Sequence, residues 1–271
     1  MDHQEPACPF DTTAYTGVPD SAPTMTVEDI PALIARLDRL YAREDYPAAE
    51  TLLKEAKERA LAGNDWRSRL SIVSEELGLT RKMMKEPEAL VAVREAKQLI
   101  EEHGMGRTVS GATVLLNAAT TLKCFGRAEE SEPLFEHVAR VYADYLDRTD
   151  YRFAGLYNNM ALTFTDLGKY EKAERYFGLA LDTLEHCDNS LCDTAVTWVN
   201  LAECYDRQDS EDERISACME QAGECLLSPE VPMDGYYAFT VGKCLPDFER
   251  FGFFYYTAQL KKRMEHINGL S

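Results

Sequence analysis

Residues 157–181 read YNNMALTFTDLGKYEKAERYFGLAL, and their pattern decides the fold. Before Gly168, the residues Tyr157, Met160, Ala161 and Phe164 recur at three- and four-residue spacing and share one face of a helix. After it, Tyr170, Ala173, Phe177 and Ala180 do the same. Gly168 suits the left-handed conformation that ends a helix. The small residues Ala161 and Ala173 let the two helices approach closely, and the large ones fill the space between neighbouring pairs.

The unit recurs. Taking Ala173 as the index, the equivalent positions are Ala49, Ala89, Ser131, Ile215 and Thr257, so successive spacings are 40, 42, 42, 42 and 42 residues. Gly126 and Gly252 occupy the turn in the third and sixth units. In the second unit Met84 replaces the glycine and Pro87 starts the next helix; in the fifth the turn is the acidic DRQDSEDE. These departures leave the local helix boundaries open. No stretch alternates long enough to suggest a sheet. The expected architecture is an all-α array of six helical hairpins, and no pair can bury its apolar face without its neighbours.

At the residues of the Tyr157 unit the chain resembles the tetratricopeptide repeat, and the resemblance extends over about residues 27–268. The period of 42 exceeds the usual 34 for that family and implies helices about one turn longer. The resemblance implies a right-handed superhelix whose concave wall is formed by the first helix of every pair. It also implies a protein-interaction module that holds an extended peptide there.

Three units carry asparagine one step before the small pair of the first helix: Asn117, Asn159 and Asn200. An asparagine amide offers one donor and one acceptor side, matching a peptide backbone without reading its sequence. The alternative is that each bonds only the neighbouring helix. Arg81, Lys82, Lys123, Arg207 and Lys243 fall one or two turns along the same faces and are expected to orient an acidic segment. A second expectation is an intracellular peptide sensor acting on a separate transcription or signalling protein. Bacterial proteins that resemble this one sometimes work in that way.

Composition narrows the field further. The chain has 271 residues with 29 Lys and Arg against 47 Asp and Glu, a formal net charge of −18. That balance argues against a nucleic-acid or anionic-membrane partner. The start, MDHQEPACPF, lacks a basic stretch followed by an apolar one, so the chain reads as cytoplasmic. Residues 1–25 hold Pro6, Pro9, Pro19 and Pro23 without apolar period and read as a flexible tail; residues 26–271 read as the repeat array.

Catalytic patterns are missing. None of His3, His103, His137, His186 and His266 stands in a zinc-protease motif, and no nucleophile elbow, phosphate loop or dinucleotide fingerprint occurs. A Cys124–His137 dyad is not singled out by spacing, and the chain reads as a non-enzyme without cofactor. The eight cysteines read as free thiols. His186, Cys187 and Cys192 come nearest to a metal set but lack a fourth ligand, and a loop between helices is the plainer reading. The last unit is rich in aromatics, with Tyr236, Tyr237, Phe253, Phe254, Tyr255 and Tyr256. It is a candidate homodimer surface if they face water, or an end cap if they pack inward.

Overall fold

The computed structural model describes residues 28–210 and 212–269. The expected tail at 1–25 lies outside them. The described residues form helices and no strand: α1 (Ile30–Tyr41), α2 (Tyr46–Ala62), α3 (Trp66–Lys82), α4 (Glu86–Glu102), α5 (Val109–Cys124), α6 (Ala128–Tyr145), α7 (Arg152–Asp166), α8 (Tyr170–Leu184), α9 (Leu191–Arg207), α10 (Asp212–Leu227), α11 (Gly235–Arg250) and α12 (Phe254–Gly269). A short 3-10 turn, Met105–Arg107, precedes α5. The chain divides into two compact units between Leu146 and Asp147, each containing three hairpins.

Each hairpin turns in the same way. The residue after the first helix with positive φ is Glu44, Met84, Gly126, Gly168, Asp209 or Gly252, in chain order. The next amide then reaches back five residues: Asp45 to Leu40, Lys85 to Thr80, Arg127 to Leu122, Lys169 to Phe164, Ser210 to Tyr205 and Phe253 to Phe248, all at 2.8–3.0 Å. This bond satisfies a carbonyl that a helix end otherwise leaves open. The boundaries left open around Met84 and the acidic turn therefore follow the glycine-containing units. Three hairpins hold a non-glycine residue in the left-handed region, which costs on the order of 1 kcal/mol each.

Helix starts are set locally. Asp29, Asp45 and Asp65 accept the amides of Ala32, Ala48 and Ser68, while Thr108 and Asp234 cap α5 and α11. Pro31, Pro47 and Pro87 stand in the first turns of α1, α2 and α4, where no amide donor is required.

All six index residues, Ala49, Ala89, Ser131, Ala173, Ile215 and Thr257, are buried. Around them pack the large side chains, among them Phe135, Phe177 and Phe248. Burying each such ring stabilises the fold by about 2–3 kcal/mol. In the first unit, Leu33 and Leu37 of α1 join Leu52, Leu53, Ala56 and Ala60 of α2 and reach Ile72 and Leu79 of α3. In the second unit α12 closes on α10. A Cβ at Gly223 would overlap the Tyr256 ring, so the bare backbone there lets the two helices meet. Arg263 of α12 donates to the carbonyls of Leu226 (2.8 Å), Leu227 (2.6 Å) and Ser228 (3.2 Å) at the end of α10.

Within each unit the first helices lie side by side, α1 by α3 by α5 and α7 by α9 by α11. These two layers carry the residues singled out in the sequence. No described helix is long and apolar enough to cross a membrane.

Candidate functional site

In the first unit the layer is locked by a buried cation. Arg81, 4% exposed in the last turn of α3, donates to the Asn117 carbonyl at 3.3 Å and the Thr121 hydroxyl at 3.0 Å. Thr121 donates in turn to the Asn117 carbonyl at 2.7 Å. The Asn117 amide nitrogen donates to Ser74 Oγ on α3 at 2.9 Å. Arg81 and Asn117 are thus brought together. Lys82 lies over the Tyr41 ring, 5.5 Å from its centre. Lys123 is half-buried near the end of α5.

In the second unit a buried anion takes the corresponding part. Asp193 of α9, 3% exposed, accepts the hydroxyl of Tyr151 at 2.7 Å and that of Tyr236. Tyr151 precedes α7 and Tyr236 lies in α11, so one carboxylate ties all three first helices. Burial pushes the Asp193 carboxyl above its ordinary range, against the two hydroxyl donors that pull it down. One turn or two further along, Asn200 donates to Asn158 Oδ1 at 3.1 Å. Asn159 donates its amide nitrogen to the Gly155 carbonyl of its own helix at 2.9 Å.

The three asparagines are 5%, 3% and 7% exposed, in chain order. Asn117 and Asn200 each donate to the neighbouring first helix, and Asn159 to its own. Asn158 escaped sequence reading, although it precedes its partner by one 42-residue period. Tyr151, Asp193 and Tyr236 were missed as well, at spacings of 42 and 43 residues.

The far end of the second layer is charged and open. Arg207 pairs with Asp166 at 2.7 Å, and Arg250 with Asp206 at 2.8 Å and Glu203 at 3.5 Å. Burial and then the facing Asp247 carboxylate push Glu203 up. Burial pushes Asp247 up too, against the pull of Arg250. Lys243, half-buried, draws both back down.

The remaining candidates resolve into packing. His137 donates its Nε2–H to the Gly106 carbonyl at 2.6 Å. His186 and Cys187 bond the carbonyls of Asp182 and Thr183. Burial pushes the Cys192 thiol up to about 12, so it stays protonated. Among the described residues no group of three His, Cys, Asp or Glu is placed to hold a metal ion. Seven cysteines are free thiols, and Cys8 lies outside the described residues. In the final unit Tyr237 is fully buried, Tyr236 belongs to the Asp193 tie, Phe253 and Tyr256 are half-buried, and Phe254 and Tyr255 are both 69% exposed.

Repeated hairpins with polar ties between their first helices define an all-α helical-repeat protein. Residues 153–186 match the family described as tetratricopeptide repeat. The fold is similar to the crystal structure of BtubC (BKLC) from P. vanneervenii: 20% identity, 72% of this chain and 80% of that chain covered, TM-score 0.62. It is also similar to a putative kinesin light chain with nearly identical TPR-like repeats from Podosopora anserina: 14% identity, 73% and 96% covered, TM-score 0.52. No curated protein matches the chain in sequence. Residues 153–186 thus carry a tetratricopeptide repeat, and the fold is the all-α helical repeat of these similar structures.

Proposed function

We propose that the chain is a protein-interaction module whose first-helix layers hold an extended segment of a protein partner. The tetratricopeptide fold in general mediates contacts between proteins, which supports the reading. The observation that carries it is the recurrence of asparagine in one register on α5, α7 and α9, with the amide nitrogens committed within the layers. The side-chain oxygens of Asn117 in the first unit, and of Asn159 and Asn200 in the second, would accept partner backbone amides. Lys82, Lys123, Arg207 and Lys243 would orient acidic side chains of the partner, and Arg81 acts through Asn117, which it braces.

The test is to select peptide ligands for the full chain from a random library and measure their affinity for N117A/N159A/N200A. Loss of about 1 kcal/mol for each broken bond is expected, with far-UV circular dichroism showing helicity retained. Unchanged affinity would place the binding surface elsewhere.

A further inference from the structure

The first hairpin carries a charged groove between α1 and α2, lined by residues that take no part in the asparagine, Arg81 or Asp193 ties. Arg36 and Arg39 on α1, and Arg43 in the turn after it, line one side with Leu40, and Thr51 and Glu55 of α2 stand on the other. The hollow has a volume of about 370 Å³. All three arginines are exposed. Among the described residues none of them forms an ion pair, whereas nearby Arg59 is held by Glu28 at 2.8 Å and Lys85 by Glu50 at 2.5 Å. Glu55 is the one carboxylate in the lining, against three guanidinium groups.

In a chain with net charge −18, carboxylates are plentiful, and leaving three neighbouring arginines without one is a local inversion of sign. Positions 36, 39 and 43 follow three- and four-residue spacing, so the charges span roughly 10 Å along the hairpin. That is about one screening length at 0.1 M salt, and the three act on an incoming anion together. Guanidinium favours two-pronged pairing with a carboxylate, and Leu40 gives the aliphatic stem of Glu an apolar floor. A merely solvated end cap needs polar residues of either sign; three guanidinium groups outside any ion pair, against one lining carboxylate, fit a complementary ligand.

We infer that this groove docks an acidic segment of a protein partner, one with carboxylates at helical spacing that meet Arg36, Arg39 and Arg43. The inference goes beyond the asparagine layers and stands if that reading fails.

The test uses the full chain, a fluorescein-labelled Glu-rich helical peptide, its Gln-for-Glu counterpart and an oligouridylate, read by fluorescence anisotropy. The Glu peptide should bind and weaken with added salt. R36E/R39E/R43E should weaken it about tenfold or more and R36Q/R39Q/R43Q by less. Circular dichroism on each variant checks the fold, and the Gln variant decides if the reversed one does not fold. No binding of the Glu peptide, equal binding of the Gln peptide, or insensitivity to the arginine changes would overturn the proposal. So would tighter binding of oligouridylate through the same arginines, which would assign the groove to phosphate polymers.

Discussion

The two units solve one packing problem with opposite charges. In the first, the guanidinium of Arg81 sits between α3 and α5 and donates to a carbonyl and a hydroxyl. In the second, the carboxylate of Asp193 sits among α7, α9 and α11 and accepts from two hydroxyls. Both ions are nearly closed off from solvent, and the bonds of Arg81 to Asn117 and Thr121, like those of Asp193 to Tyr151 and Tyr236, join neutral partners. A guanidinium keeps its charge at any accessible pH, whereas a buried carboxyl can take up a proton. The Arg81 bonds to Asn117 and Thr121 should therefore be indifferent to pH and the Asp193 tie responsive to it.

The largest effect expected is from Arg81→Met, which removes both crossing bonds and leaves the Thr121 and Asn117 oxygens without that donor. Destabilisation of about 3 kcal/mol should appear in urea denaturation, unchanged between pH 5 and 7. A loss of under about 1 kcal/mol would show that Arg81 fills space rather than ties helices.

Asp193→Asn tests the other side. Because the folded-state pKa lies above the unfolded one, the native state holds the extra proton between those two values, and native stability falls as pH rises through that interval. Below both values the carboxyl gives no such dependence. Wild type minus D193N, measured by urea denaturation from pH 4 upward, should fall across that interval and then level off. A flat difference would make the two ties equivalent.

The amide bonds between helices occur in both units and should be nearly equal. Asn117→Ala removes the bond to Ser74 and Asn200→Ala the bond to Asn158, each costing about 1 kcal/mol by chemical denaturation. A large inequality would mean that one layer depends on its asparagine and the other does not.

The smallest effect belongs to the turns, which the units share. Met84→Gly should stabilise the chain by up to about 1 kcal/mol and Gly168→Ala destabilise it by about as much, since a Cβ at Gly168 meets nothing within 4 Å and only its conformation objects. Differential scanning calorimetry on both variants would show opposite shifts in Tm.

The register of the fold was legible because Ala49, Ala89 and Ala173 stand where helices cross, and close approach there tolerates little bulk. The turns were legible only where glycine marks them. Glu44, Met84 and Asp209 adopt the same backbone without announcing it, since the bond to the carbonyl five residues back involves no side chain. Sequence also placed Asn117, Asn159 and Asn200 in one register but did not tell which neighbour each would bond. The Asp193 tie was harder still. Its three members come from three hairpins, and a lone Asp on a helix reads as a surface charge until the tyrosines one period away on either side are set beside it. The arginine groove was not legible because exposed arginines on a helix read singly as solvated charges until α2 is packed beside α1.

Arg263 has a practical consequence. Its guanidinium collects the last carbonyls of α10, a job no residue of α10 itself does. Trimming the protein back to five hairpins would strip those oxygens of their donor and uncover the cleft at Gly223 where Tyr256 rests. The sixth hairpin thus serves as a lid on the fifth, and any shortened version meant for binding work should keep it.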